Sequence, residues 1–361
     1  MTYANQPGVS KWLARSQRGA SAGCLARPHM NHRTITGRII GFGVLLACLV
    51  IVAATAGGCT KKGNSIVLAG DGTRLSAEEI DRDPLALLPS GVVGLVHVDG
   101  RAAFQSSLGG PITQVIQSFM PLGPESNFEP ARDVRRVVVG LYSLQGADVA
   151  MIVQGTLDPD AIRNAAMNGR PTAFGVPLTR VTYANNDVFV AGDVNFVIVT
   201  RQTMIVGSET GIRRTLDRIR DKRVRRDVPN WMASAIDTPQ ASIVAVADLS
   251  TDPAVQAAAQ QAPFLYGLTV VRILGNFQPP GMHLAGTLTY PDVDRANTAS
   301  SSLAQVARLS SVASLLSLIG IQSPIDSIQV RTEDRDVQFT ATINARGVGP
   351  LLEWWTRSLR R

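Results

Sequence analysis

Few side chains in this sequence could do acid–base, metal or nucleophilic chemistry. After residue 58 the only histidines are His97 and His283, each in an alternating apolar run. His97, Asp99 and His283 are the nearest approach to a metal set. Zinc sites draw their nitrogen and sulfur ligands from recognisable spacings, and no third such ligand stands at one here. Each imidazole is expected to be a half-buried strand histidine with a hydrogen-bond partner. A Ser-His-Asp triad would need one of the same two imidazoles, and no G-x-S-x-G elbow presents a serine. The expectation is no metal, no cofactor and no enzymatic activity.

Three other patterns carry possible chemistry. Val206-Gly207-Ser208-Glu209-Thr210-Gly211 is a Gly-flanked strand-to-helix turn whose backbone N–H groups could hold an anion. No Gly-Lys-Ser/Thr follows and Glu209 would repel phosphate, so Ser208 is read as an ordinary N-cap. Asp158/Asp160, Asp248/Asp252 and Asp292/Asp294 each precede a helical pattern. Carboxylates there favour the positive end of the helix dipole, although a glycosidase-type pair stays open. The densest charge run is Arg213, Arg214, Arg218, Arg220, Lys222, Arg223, Arg225 and Arg226, broken by Asp217, Asp221 and Asp227. Ile212, Leu216 and Ile219 give it an apolar face, so a solvated amphipathic helix explains it. The sharper reading is an anion-binding patch of Arg213, Arg214, Arg218, Arg223, Arg225 and Arg226 for lipid headgroups or an acidic envelope polymer.

The elements that must position these residues are short and mixed. Strands are expected at Val92–Val98, Val134–Tyr142, Val149–Thr156, Leu178–Ala184, Val188–Ala191 and Asn195–Val206, then Ser242–Ala247, Val270–Leu274, His283–Thr289, Ile325–Thr332 and Val337–Ile343. Helices are expected at Pro111–Met120, from the Asp158 cap to Met167, at Glu209–Arg220, at Pro253–Gln261, from Asp292 to about Leu309, and at Pro350–Leu359. The last places Leu351, Leu352, Trp355 and Leu359 on one face, suited to core packing or to a membrane interface.

The two halves read alike. Gly155-Thr156-Leu157-Asp158-Pro159-Asp160 recurs as Gly286-Thr287-Leu288-Thr289-Tyr290-Pro291-Asp292, an offset of 131 residues. Arg163 and Arg295 each fall three residues after the matched Asp. With the same strand-helix-hairpin-helix-hairpin-helix order on both sides, this predicts α+β architecture with two related halves at 86–237 and 238–361. Abundant hairpins argue for antiparallel pairing. The layout, with Leu88-Pro89 before the first strand, is similar to that of uncharacterised bacterial envelope proteins.

Net charge is +7 over 361 residues, but it is unevenly placed. Residues 1–58 hold six basic groups and no acidic one, leaving 29 basic against 28 acidic groups in the remainder. The body is near neutral, so its charge gives no support for nucleic-acid binding. The one long apolar run, Ile39–Ala56, follows Arg33 and Arg38 and precedes Ala56-Gly57-Gly58-Cys59. At 18 residues it is short of the roughly 20 that span a bilayer. This segment resembles the lipobox-type signal of bacterial lipoprotein precursors, with Ala56 where the family prefers Leu. The resemblance implies a signal peptide at 30–58 starting from Met30, an untranslated or disordered extension at 1–29, and acylation of Cys59. It also implies membrane attachment facing the periplasm, with Thr60 in place of Asp favouring the outer membrane. Cleavage after Ala54-Thr55-Ala56, releasing the chain, and retention as an uncleaved anchor remain open. Cys24 and Cys48 lie in the leader, so the body has no thiol beyond Cys59 and no disulfide.

Residues 59–85 read as the lipidated cysteine and a flexible tether, with at most one capped turn at Ser76-x-x-Glu79. The functional expectation is a membrane-anchored extracytoplasmic lipoprotein acting as a binding or structural module. Its partners would be the membrane through Cys59 and another envelope protein or an anionic polymer. A periplasmic carrier of an apolar ligand and a carboxylate-based envelope hydrolase are the alternatives.

Overall fold

The alternating runs read from the sequence all join one antiparallel sheet. A computed structural model describes residues 75–119, 122, 126–143, 148–167, 179–191, 194–250, 255, 259–260, 262–315 and 324–349. All fall within one compact unit, Ile39–Arg361. The strands are β1 (Gly94–Asp99), β2 (Val134–Ser143), β3 (Asp148–Gly155), β4 (Thr179–Tyr183), β5 (Asn186–Ala191), β6 (Val194–Ile198), β7 (Thr203–Gly207), β8 (Ile243–Asp248), β9 (Val270–Asn276), β10 (Gly281–Thr289), β11 (Ile325–Glu333) and β12 (Asp336–Asn344). They lie in the order β11-β12-β10-β9-β8-β1-β2-β3-β7-β6-β5-β4. The join between first and second parts is the β1–β8 pair, in register from Gly94↔Ala247 to Val98↔Ile243.

The helices are α1 (Ala77–Arg82), α2 (Pro84–Leu87), α3 (Gly100–Gln105), α4 (Gly109–Phe119), α5 (Pro130–Asp133), α6 (Pro159–Met167), α7 (Glu209–Arg220), α8 (Asn230–Ile236) and α9 (Val293–Leu315). The fold is mixed α+β around a large antiparallel sheet. Strand alternation sends Leu95, Val138, Ile152 and Ile205 to one face, where Ile212 and Leu216 of α7, Met232 of α8, and Ile80, Leu85 and Leu87 cover them. Val96, Val139, Ile273, Leu284 and Phe339 go to the other face and meet Ala296, Ala299 and Leu303 of α9. A third cluster packs Ile162 of α6 on Phe189, Phe196 and Met204.

Several sequence expectations are corrected. Residues 75–85 are not a flexible tether. Ser76 and Glu79 close a capping box on α1, Asp83 caps α2, and Leu85, Leu87 and Leu88 are 2%, 0% and 0% exposed. The reason is apolar burial: each such leucine contributes roughly 2 kcal/mol when removed from water, enough to dock a polar-looking stretch. The run Asn195–Val206 is not one strand but the β6–β7 hairpin, because the Thr200 hydroxyl accepts from the N–H groups of Gln202 (3.0 Å) and Thr203 (2.9 Å) and turns the chain. The β4–β5 hairpin turns at Ala184 and Asn185, both at positive φ. Helix α8 has no sequence-level counterpart; its N-cap is Pro229, which makes no side-chain cap bond. The expected helices at 253–261 and 350–359 fall largely or wholly outside the described residues, as do the leader and Cys59.

The repeated motif does sit at matching places, at the end of β3 into α6 and of β10 into α9. Its Asp residues, however, are not equivalent caps. Asp158 accepts from the Ala161 N–H at 3.1 Å, two residues before the position that aligns with Asp292, which accepts from the Arg295 N–H at 2.8 Å.

Candidate functional site

The sheet keeps the two histidines apart. His97 lies on β1, opposite Val138 and Val244, and His283 on β10, opposite Asn276 and Thr342. Two strands, β9 and β8, separate them. Asp99 accepts from the Ala102 N–H at 3.0 Å as the cap of α3 and stands on neither imidazole. Among the described residues no cluster of three or more His, Cys, Asp or Glu could hold a metal. His283 has the partner expected of it, Nε2 lying 3.0 Å from the Pro279 carbonyl, but it is exposed rather than half-buried. His97 departs from expectation, since its Nδ1 is buried without a partner.

The acidic pairs are committed locally. Asp158 and Asp292 cap helices, and Asp248 accepts from the Ser250 N–H at 3.1 Å and hydroxyl at 2.6 Å. Ser208 caps α7 by accepting from the Gly211 N–H at 3.0 Å, as expected, and donates to Asp148 at 2.8 Å.

The arginine run is where structure changes the reading most. Arg213 pairs with Glu209 at 2.6 Å and lies 4.9 Å over the Tyr183 ring. Arg214 reaches Asp148 at 3.4 Å, donates to the Ser90 carbonyl at 2.6 Å and stacks 4.5 Å over Tyr142. Arg218, 4% exposed, pairs with Asp227 at 2.6 Å and donates to the carbonyls of Ala86 and Arg225. Arg223 meets Asp221 at 2.9 Å, Arg225 meets Asp227 at 3.4 Å, and Arg226 bridges Asp83 (2.6 Å) and Asp237 (3.0 Å). All six residues of the expected patch thus have a carboxylate partner. The side-chain bonds from Arg218 and Arg220 hold Asp227 and Asp221 below the usual carboxylate range. Burial pushes the Tyr142 phenol up, as it does Tyr183, whose hydroxyl also donates to Asp217 at 2.8 Å.

The run therefore works as a fastening. Arg214, Arg218 and Arg226 reach Ser90, Ala86 and Asp83, tying the segment before β1 to α7 and the loop after it. Asp81 is held from the other side by the hydroxyls of Thr200 (2.5 Å) and Thr203 (2.6 Å). Sequence reasoning missed these partners because they stand about 120 residues away, and no local pattern links them.

A depression of about 240 Å³ lies between Pro159, Arg163, Asn185, Asn186, Asp187, Phe189, Ile198 and Val199. Arg163 and Arg180 approach Asp187 there at 3.5 and 3.7 Å, so its wall is polar and charged rather than dry. No helix among the described residues is long and apolar enough to cross a membrane.

No protein-family model and no curated protein matches the chain. The solved structure of TP0453 in crystal form III aligns with 75% of this chain and 97% of its own, at 9% identity and a TM-score of 0.52. The chain is similar in fold to TP0453. Crystal forms I and IV of that protein give TM-scores of 0.47 and 0.46. At 9% identity the likeness speaks to the fold alone.

Proposed function

We propose that the protein is a membrane-anchored, extracytoplasmic, non-catalytic module with two related halves, presenting a sheet face to a partner in the cell envelope. One observation carries the presenting surface. The helical layer of α7, α8 and the segment before β1 ends at β9, where Arg272 stacks 5.3 Å over Trp231 of α8. Beyond it His283, Ala285, Gln338, Thr340, Ser327 and Gln329 are exposed on one face of β10, β12 and β11. Their cross-strand rows, such as Ala285↔Thr340↔Gln329, form a flat polar surface. The opposite alternation of the same strands is core.

The strand order supports the two related halves. Outward from the join run β1-β2-β3, then β7-β6; on the other side run β8-β9-β10, then β12-β11. In each half a helix follows the third strand, and the last strand of the half returns beside it. The hairpin β4–β5 extends the first half only.

Anchoring rests on the segment ending at Cys59. Mass spectrometry of the mature N-terminus should find a diacylglyceryl group on Cys59; an unmodified Gly57 or an intact leader would overturn it. For the surface, a photo-crosslinker at Thr340 in intact cells should give a discrete adduct that one at Arg213 does not. Equal or absent adducts at Thr340 would remove that face from the proposal.

A further inference from the structure

Five arginines without a carboxylate partner lie elsewhere than the dense run, and the fold gathers them. Arg82, Arg101, Arg135, Arg136 and Arg201 are all exposed. Among the described residues none of the five forms an ion pair; Arg135 donates to the Thr156 hydroxyl at 3.0 Å. They come from four stretches of chain, yet one rim of the sheet collects them.

The register shows how. Asp99↔Arg136, Arg136↔Gln154 and Gln154↔Thr203 place the ends of β1, β2, β3 and β7 in one row. Gly100 opens α3 against this row so closely that a Cβ would meet the Val134 carbonyl and the Arg135 backbone, which brings Arg101 beside Arg135. Leu157 donates to the Arg201 carbonyl at 2.9 Å, and Gln154 donates to the Asp81 carbonyl at 2.8 Å, which sets Arg82 next to the row. The neighbouring carboxylates do not meet these guanidiniums. Asp81 receives the Thr200 and Thr203 hydroxyls and Asp99 caps α3. Asp133, on the same row, is taken by Arg132, and Asp158 caps α6, so the five guanidiniums facing water leave this rim net positive.

We propose that this rim docks on an anionic lipid surface. Position selects lipid over a soluble polyanion, and here the inference rests on the anchoring at Cys59 proposed above. The described residues begin at Leu75, and the six-residue helix that follows, about 9 Å long, ends at Arg82. The stretch 60–74 can reach at most about 50 Å when extended, so an anchored domain is held within that distance of the bilayer with the rim near its root. Guanidinium groups suit phosphate headgroups, and several acting together give adhesion that salt screens over about 10 Å at 0.1 M.

The test uses the full chain with Cys24, Cys48 and Cys59 replaced by Ser and a donor fluorophore on Thr156→Cys. It is mixed with vesicles carrying a headgroup acceptor, either phosphatidylcholine alone or phosphatidylcholine with phosphatidylglycerol. Energy transfer should rise with phosphatidylglycerol and collapse at about 1 M salt. The R82Q/R101Q/R136Q/R201Q variant should need about tenfold more anionic lipid for the same transfer. The R223Q/R225Q variant should behave as the parent. If the quadruple variant fails to fold by circular dichroism, R82Q/R201Q and R101Q/R136Q, each expected to lose part of the response, replace it. Transfer from the Cys-free chain that ignores phosphatidylglycerol, while wild-type chain with Cys59 intact floats with both vesicles, overturns the rim and leaves the anchor. If the Cys-free chain responds to phosphatidylglycerol but wild-type chain, with Cys59 intact and purified from membranes, fails to float with neutral vesicles, the rim stands and the anchor falls. Arginine-dependent binding to heparin without any response to phosphatidylglycerol makes the partner a polymer and overturns the lipid proposal.

Discussion

Arg218 and Asp227 form a 2.6 Å ion pair in which the arginine side chain is 5% exposed and the aspartate 27%. The guanidinium also donates to the Ala86 and Arg225 carbonyls, so one buried cation joins α7, the loop after it and α2. Its Nε has no partner, so the site is not fully satisfied and depends on the Asp227 charge. Arg218→Met should cost about 3 kcal/mol by urea denaturation, since it leaves two carbonyls and a carboxylate without their donor. The bond from Arg218 depresses the Asp227 carboxyl, so its contribution is present above the unfolded value of about 3.9 and is lost as pH falls through the folded one. Asp227→Asn should flatten the acid limb of stability; an acid limb identical to the parent's would contradict the pairing.

The segment before β1 behaves as part of the domain and not as a tether. Leu87, 0% exposed, should cost about 2–5 kcal/mol as Leu87→Ala. Asp81→Ala removes the acceptor of two threonine hydroxyls, one on a residue that is 0% exposed, and should cost about 1–3 kcal/mol. Hydrogen exchange would locate the Asp81→Ala effect at residues 77–88. Unchanged protection there would mean that the segment is held by its leucines alone.

His97 should make the protein sensitive to mild acid. Burial first, then the Arg136 charge, holds its imidazole below the ordinary range, against the smaller opposing pull of Asp99 and Asp237. The unfolded chain therefore binds this proton more readily than the native one, and stability falls as pH drops below about 6.5. The loss levels off once the native imidazole also protonates. His97→Phe should remove this part of the slope between about pH 7.5 and 5.5 in urea midpoints. A slope retained in full by that variant would assign the sensitivity to another group.

Gly155 and Gly286 should both resist substitution, for different reasons. A Cβ on Gly155 would fall on the Asp133 carbonyl oxygen, and one on Gly286 would meet the Phe339 ring. Gly155→Ala should cost about 1–3 kcal/mol or more, because backbone must move. Gly286→Ala should cost less, because a ring can turn. Thermal midpoints in the reverse order would show that the two sites are packed otherwise.

Much of the fold was legible in short-range pattern. The limits of α7 are as expected, because Ser208, the apolar spacing of Ile212 and Leu216, and the end at Asp221 are local signals. The hairpins at β2–β3, β9–β10 and β11–β12 were equally visible, since alternation reports which residues face a core. The break between β6 and β7 was not. It depends on a single threonine turning its hydroxyl onto two N–H groups, a choice that alternation does not record.

Charge shows where sequence reading stops. Composition by itself established that the basicity sits in residues 1–58 and that the remainder is near neutral. It also established that the body contains two histidines and one cysteine, which bounds its chemistry. Density along the chain pointed to 213–226 as the place for an anion. Only the tertiary structure decided that this run is spent on Glu209, Asp148, Asp227, Asp221, Asp83 and Asp237, while five scattered arginines share an unpaired rim. The reason is range. Helix and strand periodicity are set by neighbours a few residues apart, whereas an ion pair falls off with distance in space, and folding brings Asp83 to Arg226 across 143 residues.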